Sequence, residues 1–341
     1  MSAGVEYRRQ VMELMRGYRS AQVLISCAEL GVFEALRGSA AGAQELGERL
    51  GAHPMALSRL LGAAVALGLL EKDAAGYANS PLAATCLAEE GPFYLGHLVK
   101  REGAFYRRWS RLTEAVRTGK RPEENLRDEQ AGNWVRDFEL ALYDIARTAA
   151  PAIAEVLDPL LPRRTGQPIR VIDVGGGHGA YAVALARRNP AVEAVVFDLP
   201  TVIEVAPAIV AAADLADRVA FQAGDFKVDD LGTDFNLALL FGVLVSETAA
   251  DSVALLRKVH AALVPGGMVA IRGFYLDADR SGPLEATLGD LHMLLSTDAG
   301  TAHTTDDVSA WLRAADFGIP EVLTSPPPER SSLLVARKPV G

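Results

Sequence analysis

The chain has few cysteines, no excess of basic residues and no hydrophobic run long enough to cross a membrane. Its two cysteines, Cys27 and Cys86, lie among apolar residues, so we interpret them as buried free thiols that share no metal site. Free thiols are typical of the reducing cytoplasm, which is where we expect the protein to act.

The charge and hydropathy patterns exclude further classes of partner. Lys and Arg number 34 against 43 Asp and Glu, and the net charge of −9 argues against nucleic acid as a ligand. The longest apolar run, residues 61–70, is shorter than the ~20 residues of a membrane-spanning helix, and residues 1–9 carry no apolar signal core. We therefore expect neither nucleic acid nor a membrane as partner.

Residues 1–91 have the pattern of a winged helix, with helical segments followed by a short hairpin around Asp73-Ala74-Ala75. A winged helix commonly binds DNA through its recognition helix. Here that helix, residues 55–65, contains one arginine, Arg59, among mostly apolar side chains, a composition that favours burial against a partner subunit. We therefore predict a homodimer formed through residues 1–91.

After an aromatic-rich helical segment at 92–162, strands and helices alternate. The predicted strands are 169–174, 193–198, 218–222, 236–241, 267–274 and 331–337, and the predicted helices lie near 179–188, 201–213, 250–263, 283–296 and 306–315. This alternation predicts an α/β fold with a parallel sheet covered by helices on both faces.

The most informative segment is the glycine loop at 173–179, Asp-Val-Gly-Gly-Gly-His-Gly, between a predicted strand and a predicted helix. Glycines let backbone amides at a helix N-terminus approach a ligand closely. The spacing of Gly175, Gly177 and Ala180 matches the fingerprint of nicotinamide-dinucleotide proteins. Asp173 argues against that ligand because its carboxylate would repel a pyrophosphate and attract an ammonium group.

Four motifs occur in order along the chain: residues 173–179, Phe197-Asp198-Leu199-Pro200, Gly224-Asp225-Phe226 and residues 256–267. Together they resemble the class I S-adenosylmethionine (SAM)-dependent methyltransferases, specifically the small-molecule O-methyltransferase family with an N-terminal winged-helix dimerisation domain. The resemblance implies SAM as cofactor, a dimerisation domain at 1–91, a helical linker and acceptor-pocket region at 92–162, and a Rossmann-like domain with a mostly parallel seven-stranded sheet at 163–341.

The resemblance also implies which residues bind SAM. The glycine loop would contact the methionine part, Asp198 would accept hydrogen bonds from both ribose hydroxyls, and Asp225 would contact the adenine amine beneath Phe226. The complete implied set is Asp173, Gly175, Gly176, Gly177, Asp198, Leu199, Asp225 and Phe226.

The proton acceptor of the family is missing. The family places a histidine base after the fourth strand, flanked in plant enzymes by two glutamates, and these positions correspond to Val245, Gly273 and Ala302 here. None of these residues can accept a proton. Three alternatives remain: methylation of an acceptor that needs no base, O-methylation of a phenol or other hydroxyl with His292 or Glu247 as base, and SAM binding without methyl transfer, as in decarboxylase or hydroxylase relatives.

Our leading prediction is S-methylation of a thioether or thiol acid, as in the methylthiohydroxybutyrate S-methyltransferases of dimethylsulfoniopropionate synthesis. A thioether sulfur carries no proton, so proximity and orientation would suffice for catalysis. An acidic phenol that is already partly ionised would also react without a base. The candidate acceptor-binding residues are Tyr106, Leu142, Tyr143, Arg147, Arg272 and Met293, with the arginines suited to a carboxylate. We interpret His303 as a surface loop residue.

Overall fold

The computed structural model describes residues 3–122, 133–161, 166–324 and 331–340. The chain divides into two compact units, Met1–Arg107 and Arg108–Gly341. The dividing point falls inside the predicted linker at 92–162, and residue 163, where we expect the Rossmann-like domain to begin, lies outside the described residues.

The first unit is helical with one β-hairpin. Its helices are α1 (Ala3–Glu29), α2 (Val32–Ala35), α3 (Ala43–Leu50), α4 (Pro54–Ala66), α5 (Pro81–Cys86) and α6 (Gly96–Trp109), the last of which ends in the second unit. The strands β1 (Leu70–Asp73) and β2 (Gly76–Asn79) pair antiparallel, as the hairpin prediction requires. Pro54 occupies the first turn of α4, where its missing amide proton costs no hydrogen bond.

The exposed apolar surface of this unit lies mainly on α1. Helix α4, which corresponds to the apolar segment 55–65, buries Leu57, Leu61 and Ala64 in the core of its own unit. Met55 on the same helix is 65% exposed, so this core accounts for only part of the apolar composition, and burial of α4 against a partner subunit stays a prediction. The large apolar side chains that α1 exposes are Val5, Tyr7, Val11, Leu14, Met15 and Tyr18.

The second unit contains a seven-stranded sheet in the order β5-β4-β3-β6-β7-β9-β8. Its strands are β3 (Ile169–Val174), β4 (Val192–Asp198), β5 (Val219–Ala223), β6 (Phe235–Phe241), β7 (Leu263–Gly273), β8 (Glu321–Thr324) and β9 (Ser332–Arg337). Its helices are α7 (Leu112–Thr118), α8 (Trp134–Leu157), α9 (Ala180–Arg188), α10 (Ala206–Ala212), α11 (Ala249–Ala262), α12 (Leu284–Ser296) and α13 (Thr305–Ala314). The predicted α/β class is confirmed. Strands β3 to β7 are parallel, and β9 is antiparallel to both of its neighbours, β7 and β8.

Helices cover both faces of this sheet. Along β6, Leu237 and Leu239 face a core shared with α8 and α9, whereas Ala238 and Leu240 face a core shared with α11 and α13. The strand order reverses between β3 and β6, and ligands of open α/β sheets bind at the carboxyl ends of strands at such a point. The glycine loop follows β3 and therefore lies at this position.

The edge strand β8 is the one strand that the sequence patterns did not predict. Its residues are mostly exposed, so it has no buried apolar run. In the described ranges, no helix combines the length and the hydropathy that a membrane span requires.

Candidate functional site

The glycine loop joins β3 to α9 and is held to the end of β4. The amide of Gly175 donates to the carbonyl of Phe197 at 2.8 Å, and the amide of Gly177 donates to Oδ2 of Asp198 at 2.8 Å. At Gly176 and Gly177, a residue with a side chain would disturb this arrangement. At Gly176, a Cβ would lie 2.7 Å from Cγ of Asp173, so the loop passes directly over that carboxylate.

A second carboxylate, from α8, approaches the same loop. At Gly177, where φ is 44°, a Cβ would overlap with Oε2 of Glu139. Asp173 is 1% exposed and Glu139 is 6% exposed, and Oδ2 of Asp173 and Oε2 of Glu139 have no hydrogen-bond partner in the described parts of the chain. Burial, with the nearby negative charge of Asp198, raises the pKa of both carboxyls to about 7.

The remaining predicted cofactor residues lie at the ends of β4 and β5. Oδ1 of Asp198 accepts from the amide of Leu199 at 2.7 Å, and burial raises the pKa of Asp198 although this amide and that of Gly177 oppose the shift. Oδ1 of Asp225 accepts from the amide of Lys227 at 2.8 Å. Phe226 is half-buried against the sheet core. The predicted residues therefore gather at the carboxyl edge of the sheet, and their individual contacts with SAM stay predictions.

Val245 lies in a single 3-10 turn, Leu244–Ser246, that follows β6. Its carbonyl accepts from the amide of Thr301 at 3.0 Å. The segment that contains Ala302 therefore packs against the turn that contains Val245. Two of the three positions that correspond to the family's base and its flanking acids are adjacent in the structure, and both are apolar.

His303 packs against this turn, and its prediction as a surface residue is wrong. Its side chain is buried, with Nε2 3.1 Å from the carbonyl oxygen of Leu244 and the ring edge-on to Trp311. Because burial disfavours the charged ring, the pKa of His303 is lowered.

Glu247, a predicted base, is paired with a cation. Its nearly buried carboxylate lies 2.8 Å from Nζ of Lys227. The helix that follows begins with Thr248 as its cap, since the hydroxyl of Thr248 accepts from the amide of Asp251.

His292, the other predicted base, is half-buried between Trp109 and Ser296. Nε1 of Trp109 donates to Nδ1 of His292 at 3.3 Å, and the two rings are stacked. An indole nitrogen can only donate, so Nδ1 of His292 carries no proton and its lone pair is occupied. In the neutral ring, Nε2 carries the proton, 3.3 Å from the hydroxyl of Ser296.

One face of α8 covers the glycine loop. Glu139, Leu142 and Tyr143 share this face because residues three and four apart are neighbours on a helix. The ring of Tyr143 lies 6.0 Å from that of His178 in the loop. Burial lowers the pKa of His178 to about 4, so its ring is neutral at physiological pH and Nδ1 accepts from the amide of Ala180.

The other predicted acceptor residues are spread over several elements. In β7, Arg272 donates to the hydroxyl of Tyr181 at 2.8 Å and to that of Ser331 at 3.0 Å. Arg147 lies one turn beyond Tyr143 on α8, and Met293 follows His292 on α12. Tyr106 belongs to the first unit, where its side chain is exposed. Their roles in acceptor binding stay predictions.

Comparison with known proteins identifies the family. An O-methyltransferase domain model matches residues 164–318 and an O-methyltransferase dimerisation domain model matches residues 12–89. The 3-hydroxy-5-methyl-1-naphthoate 3-O-methyltransferase of Streptomyces sahachiroi is 34% identical over 92% of this chain and 89% of its own length. The chain belongs to the O-methyltransferase family.

Two further relatives agree with this assignment. The tetracenomycin polyketide synthesis 8-O-methyl transferase of Streptomyces glaucescens is 31% identical over 96% of each chain. The crystal structure of human N-acetylserotonin methyltransferase in complex with SAM is 26% identical, with a TM-score of 0.82 over 98% of each chain. The protein is therefore a SAM-dependent methyltransferase that acts on small molecules. The branch of S-methyltransferases that we favoured is not confirmed.

The glycine-loop site fits the chemistry of SAM. A cofactor with an ammonium group, a sulfonium group and a ribose diol requires carboxylates, and Asp173, Glu139 and Asp198 surround the loop. Two of their buried oxygens have no partner among the described residues, as expected of groups that receive a cationic ligand. Within the described ranges, no group of three or more metal-ligating side chains is arranged to hold a metal ion.

Sequence reasoning missed Glu139, Trp109 and Lys227. The position of Glu139 carried a usable signal, since it lies three and four residues before Leu142 and Tyr143, which we had predicted to face the ligand. The sequence contains no comparable signal for Trp109 or Lys227. Their partners, His292 and Glu247, are distant in sequence and become neighbours only in the folded protein.

Proposed function

We propose that the protein transfers the methyl group of SAM to an acidic aromatic hydroxyl group without a general base. One observation supports this proposal: Val245, the residue that the family resemblance assigns to the base position, lies in a turn packed against the segment of apolar Ala302. An aromatic hydroxyl that ionises near neutral pH brings its own nucleophilic oxygen, so it needs orientation rather than proton removal. This is the O-methylation alternative that the sequence leaves open, but with neither His292 nor Glu247 as base.

The contacts of the two alternative bases support a base-free reaction. The lone pair of His292 Nδ1 accepts from Trp109, and the carboxylate of Glu247 is paired with Lys227. A general base must have a lone pair directed at the proton that it removes. Nδ1 of His292 offers none in this arrangement, and Oε2 of Glu247 is paired with Lys227.

The names of the relatives support an aromatic acceptor. One acts on a hydroxynaphthoate and another in polyketide synthesis. S-methylation of a thioether acid remains chemically compatible with a site without a base, but the relatives named above that specify the methylated atom name oxygen. In the proposed complex, Leu142, Tyr143 and Met293 contact the ring system, and Arg147 or Arg272 pairs with an acidic substituent.

SAM supplies an electrophilic methyl group bound to its sulfonium. In the proposed site, Gly175, Gly176 and Gly177 contact its methionine part beside Asp173, and Asp198 accepts from the ribose hydroxyls. Each oxygen of a carboxylate has two lone pairs, so Asp198 can accept from the diol while it keeps its contacts with Gly177 and Leu199. Asp225 and Phe226 contact the adenine.

We also propose that the protein is a homodimer formed through α1. The dimerisation-domain match covers residues 12–89, and α1 exposes the apolar side chains Leu14, Met15 and Tyr18 within that range. Exposed apolar side chains on one helix are typical of a subunit interface.

The acceptor class can be tested with hydroxylated naphthalenes of different acidity. We would measure initial rates from pH 6 to 9 with 1-naphthol, 3-hydroxy-1-naphthoate and 2-hydroxy-1,4-naphthoquinone, and with 4-methylthio-2-hydroxybutyrate as the sulfur acceptor. We expect the rate for each naphthalene to follow the ionised fraction of its own hydroxyl group. Turnover of the thioether acid alone would contradict the proposal, and a pH profile that is identical for all three naphthalenes would indicate a base on the enzyme.

A further inference from the structure

Among the described residues of the second unit, Glu139 is a buried carboxylate with an oxygen that no protein group satisfies. It lies on α8 with 6% of the residue exposed, and it contacts the glycine loop at Gly177. The backbone of His178 partly opposes the rise in the pKa of this carboxyl, and Oε2 has no hydrogen-bond partner in the described parts of the chain. A buried oxygen without a hydrogen-bond partner destabilises the folded state unless a ligand donates a hydrogen bond to it.

A second carboxylate with the same properties lies on the other side of the loop. Asp173 is 1% exposed, and its Oδ2 is also without a partner among the described residues. The backbone of Ala182, in the first turn of α9, partly opposes the rise in the pKa of Asp173. The loop glycines separate the two, since a Cβ at Gly176 would meet Asp173 and a Cβ at Gly177 would meet Glu139. A cation bound at the loop would therefore lie between two acids.

The charged and titratable groups around Glu139 do not neutralise it. Asp198 at the end of β4 adds negative charge, and His178 in the loop is neutral because burial lowers its pKa to about 4. Arg272 on β7 donates to Tyr181 of α9 and to Ser331. On α8 itself, Asp144 and Arg147 follow at one and two turns.

We propose that Glu139 is a cofactor-binding residue that accepts from the α-ammonium group of SAM, opposite Asp173. This inference rests on the proposed placement of SAM at the glycine loop. A bound ammonium group would favour the ionised form of each acid, so binding releases protons near neutral pH. Affinity for the cofactor then rises with pH across the range in which the two carboxyls ionise.

Calorimetry of cofactor binding tests this without an acceptor. The probe is S-adenosylhomocysteine, which keeps the ammonium group, and the matched ligand is methylthioadenosine, which lacks the entire amino-acid part. Titrations at pH 7 in two buffers of different ionisation enthalpy give the number of protons released. We expect about one proton per S-adenosylhomocysteine and none for methylthioadenosine.

The variants are Glu139→Gln and, on the same helix, the exposed Glu155→Gln as control. We expect E139Q to weaken S-adenosylhomocysteine binding at least about tenfold and to reduce the proton release, with methylthioadenosine affinity unchanged. E155Q should behave like the wild type. Because proton release is measured on the wild-type protein as well, a failure of E139Q to fold would not prevent the test.

Two results would overturn the inference: no proton release by the wild type, or unchanged S-adenosylhomocysteine affinity in E139Q. Asp198→Asn separates this failure from failure of the proposed SAM site. If D198N weakens binding and E139Q does not, only the role of Glu139 is wrong. If neither variant weakens binding, the placement of SAM at the glycine loop is wrong as well.

Discussion

The carboxylate of Asp198 accepts a hydrogen bond from the backbone amide of Gly177 at 2.8 Å, which connects the end of β4 to the loop that follows β3. The two strands are paired in register from Ile169 and Val192 onward, so the sheet itself brings these residues together. Asp198 therefore shapes the glycine loop and is positioned to contact a ligand that the loop binds.

Asp198→Asn should weaken SAM binding by about tenfold or more, since hydrogen bonds to a charged group contribute roughly 1.5–3 kcal/mol. The amide can replace only one accepting oxygen for the ribose diol. Isothermal titration would measure the change, with the exposed Asp217→Asn as the control. An equal loss in both variants would point to general charge rather than to a contact.

The cofactor-free protein should lose stability as the pH rises from about 4 to about 7 through ionisation of Asp173 and Glu139. Both pKa values are raised to about 7 in the folded protein, from 3.8 for Asp173 and 4.5 for Glu139. The folded state therefore binds more protons than the unfolded state in this window, and its free energy of unfolding falls as the pH increases.

Glu139→Gln isolates one of these two groups. It should raise the Tm of the cofactor-free protein at pH 8, by about 2–4 °C for each kcal/mol of relieved burial cost, and change it little at pH 4.5. Thermal denaturation at both pH values checks this. The same increase at both pH values would mean that ionisation of Glu139 is not the cause.

His292→Ala should lower kcat on an acidic hydroxynaphthoate by less than about tenfold, because removal of a general base costs about 10²–10⁴-fold. Trp109→Phe is the matched variant, since it removes the indole donor to Nδ1 and keeps a ring against the histidine. Rates from pH 6 to 9 would be compared for both variants. Loss of an ionisation from the pH profile of H292A would establish His292 as a base.

Val245→His should extend the range of acceptors toward weakly acidic hydroxyl groups. A histidine at this turn would supply a proton acceptor where the family has one, so the rate on 1-naphthol should rise relative to 2-hydroxy-1,4-naphthoquinone. The ratio of the two rates is the measurement, and Val245→Leu controls for the change in volume. An unchanged ratio would show that a side chain at position 245 does not reach the acceptor.

Leu14→Glu should convert the proposed homodimer into monomers, since Leu14 is 83% exposed on the apolar face of α1 and a charge there would oppose association. Light scattering after size-exclusion chromatography would report the mass. Ile319→Glu is the control, because Ile319 is 89% exposed in the second unit. A wild-type monomer, or a dimer that survives L14E, would exclude this interface.

Much of the fold was predictable from local patterns. Alternating apolar strands and amphipathic helices gave β3 to β7 and β9 within a few residues, and the glycine loop with Asp198 identified the cofactor class. The exposed strand β8 had no such pattern. For the apolar helix α4 the sequence predicts an interface, and the structure places its side chains Leu57 and Leu61 in the core of their own unit, while contact of its other residues with a partner stays a prediction. Composition cannot distinguish these two destinations for an apolar side chain.

The sequence by itself determined the α/β architecture and the glycine loop, because these depend on residue type and short-range spacing. The resemblance to the family added the prediction that Val245 stands where the base would be. The tertiary structure decided the state of each ionisable group, because burial and long-range partners set it. Nε1 of Trp109 donates a hydrogen bond to Nδ1 of His292, although the two residues are 183 positions apart in the sequence. Glu139 contacts the glycine loop because α8 packs against α9. This contact, which the sequence does not predict, makes Glu139 part of the proposed cofactor site.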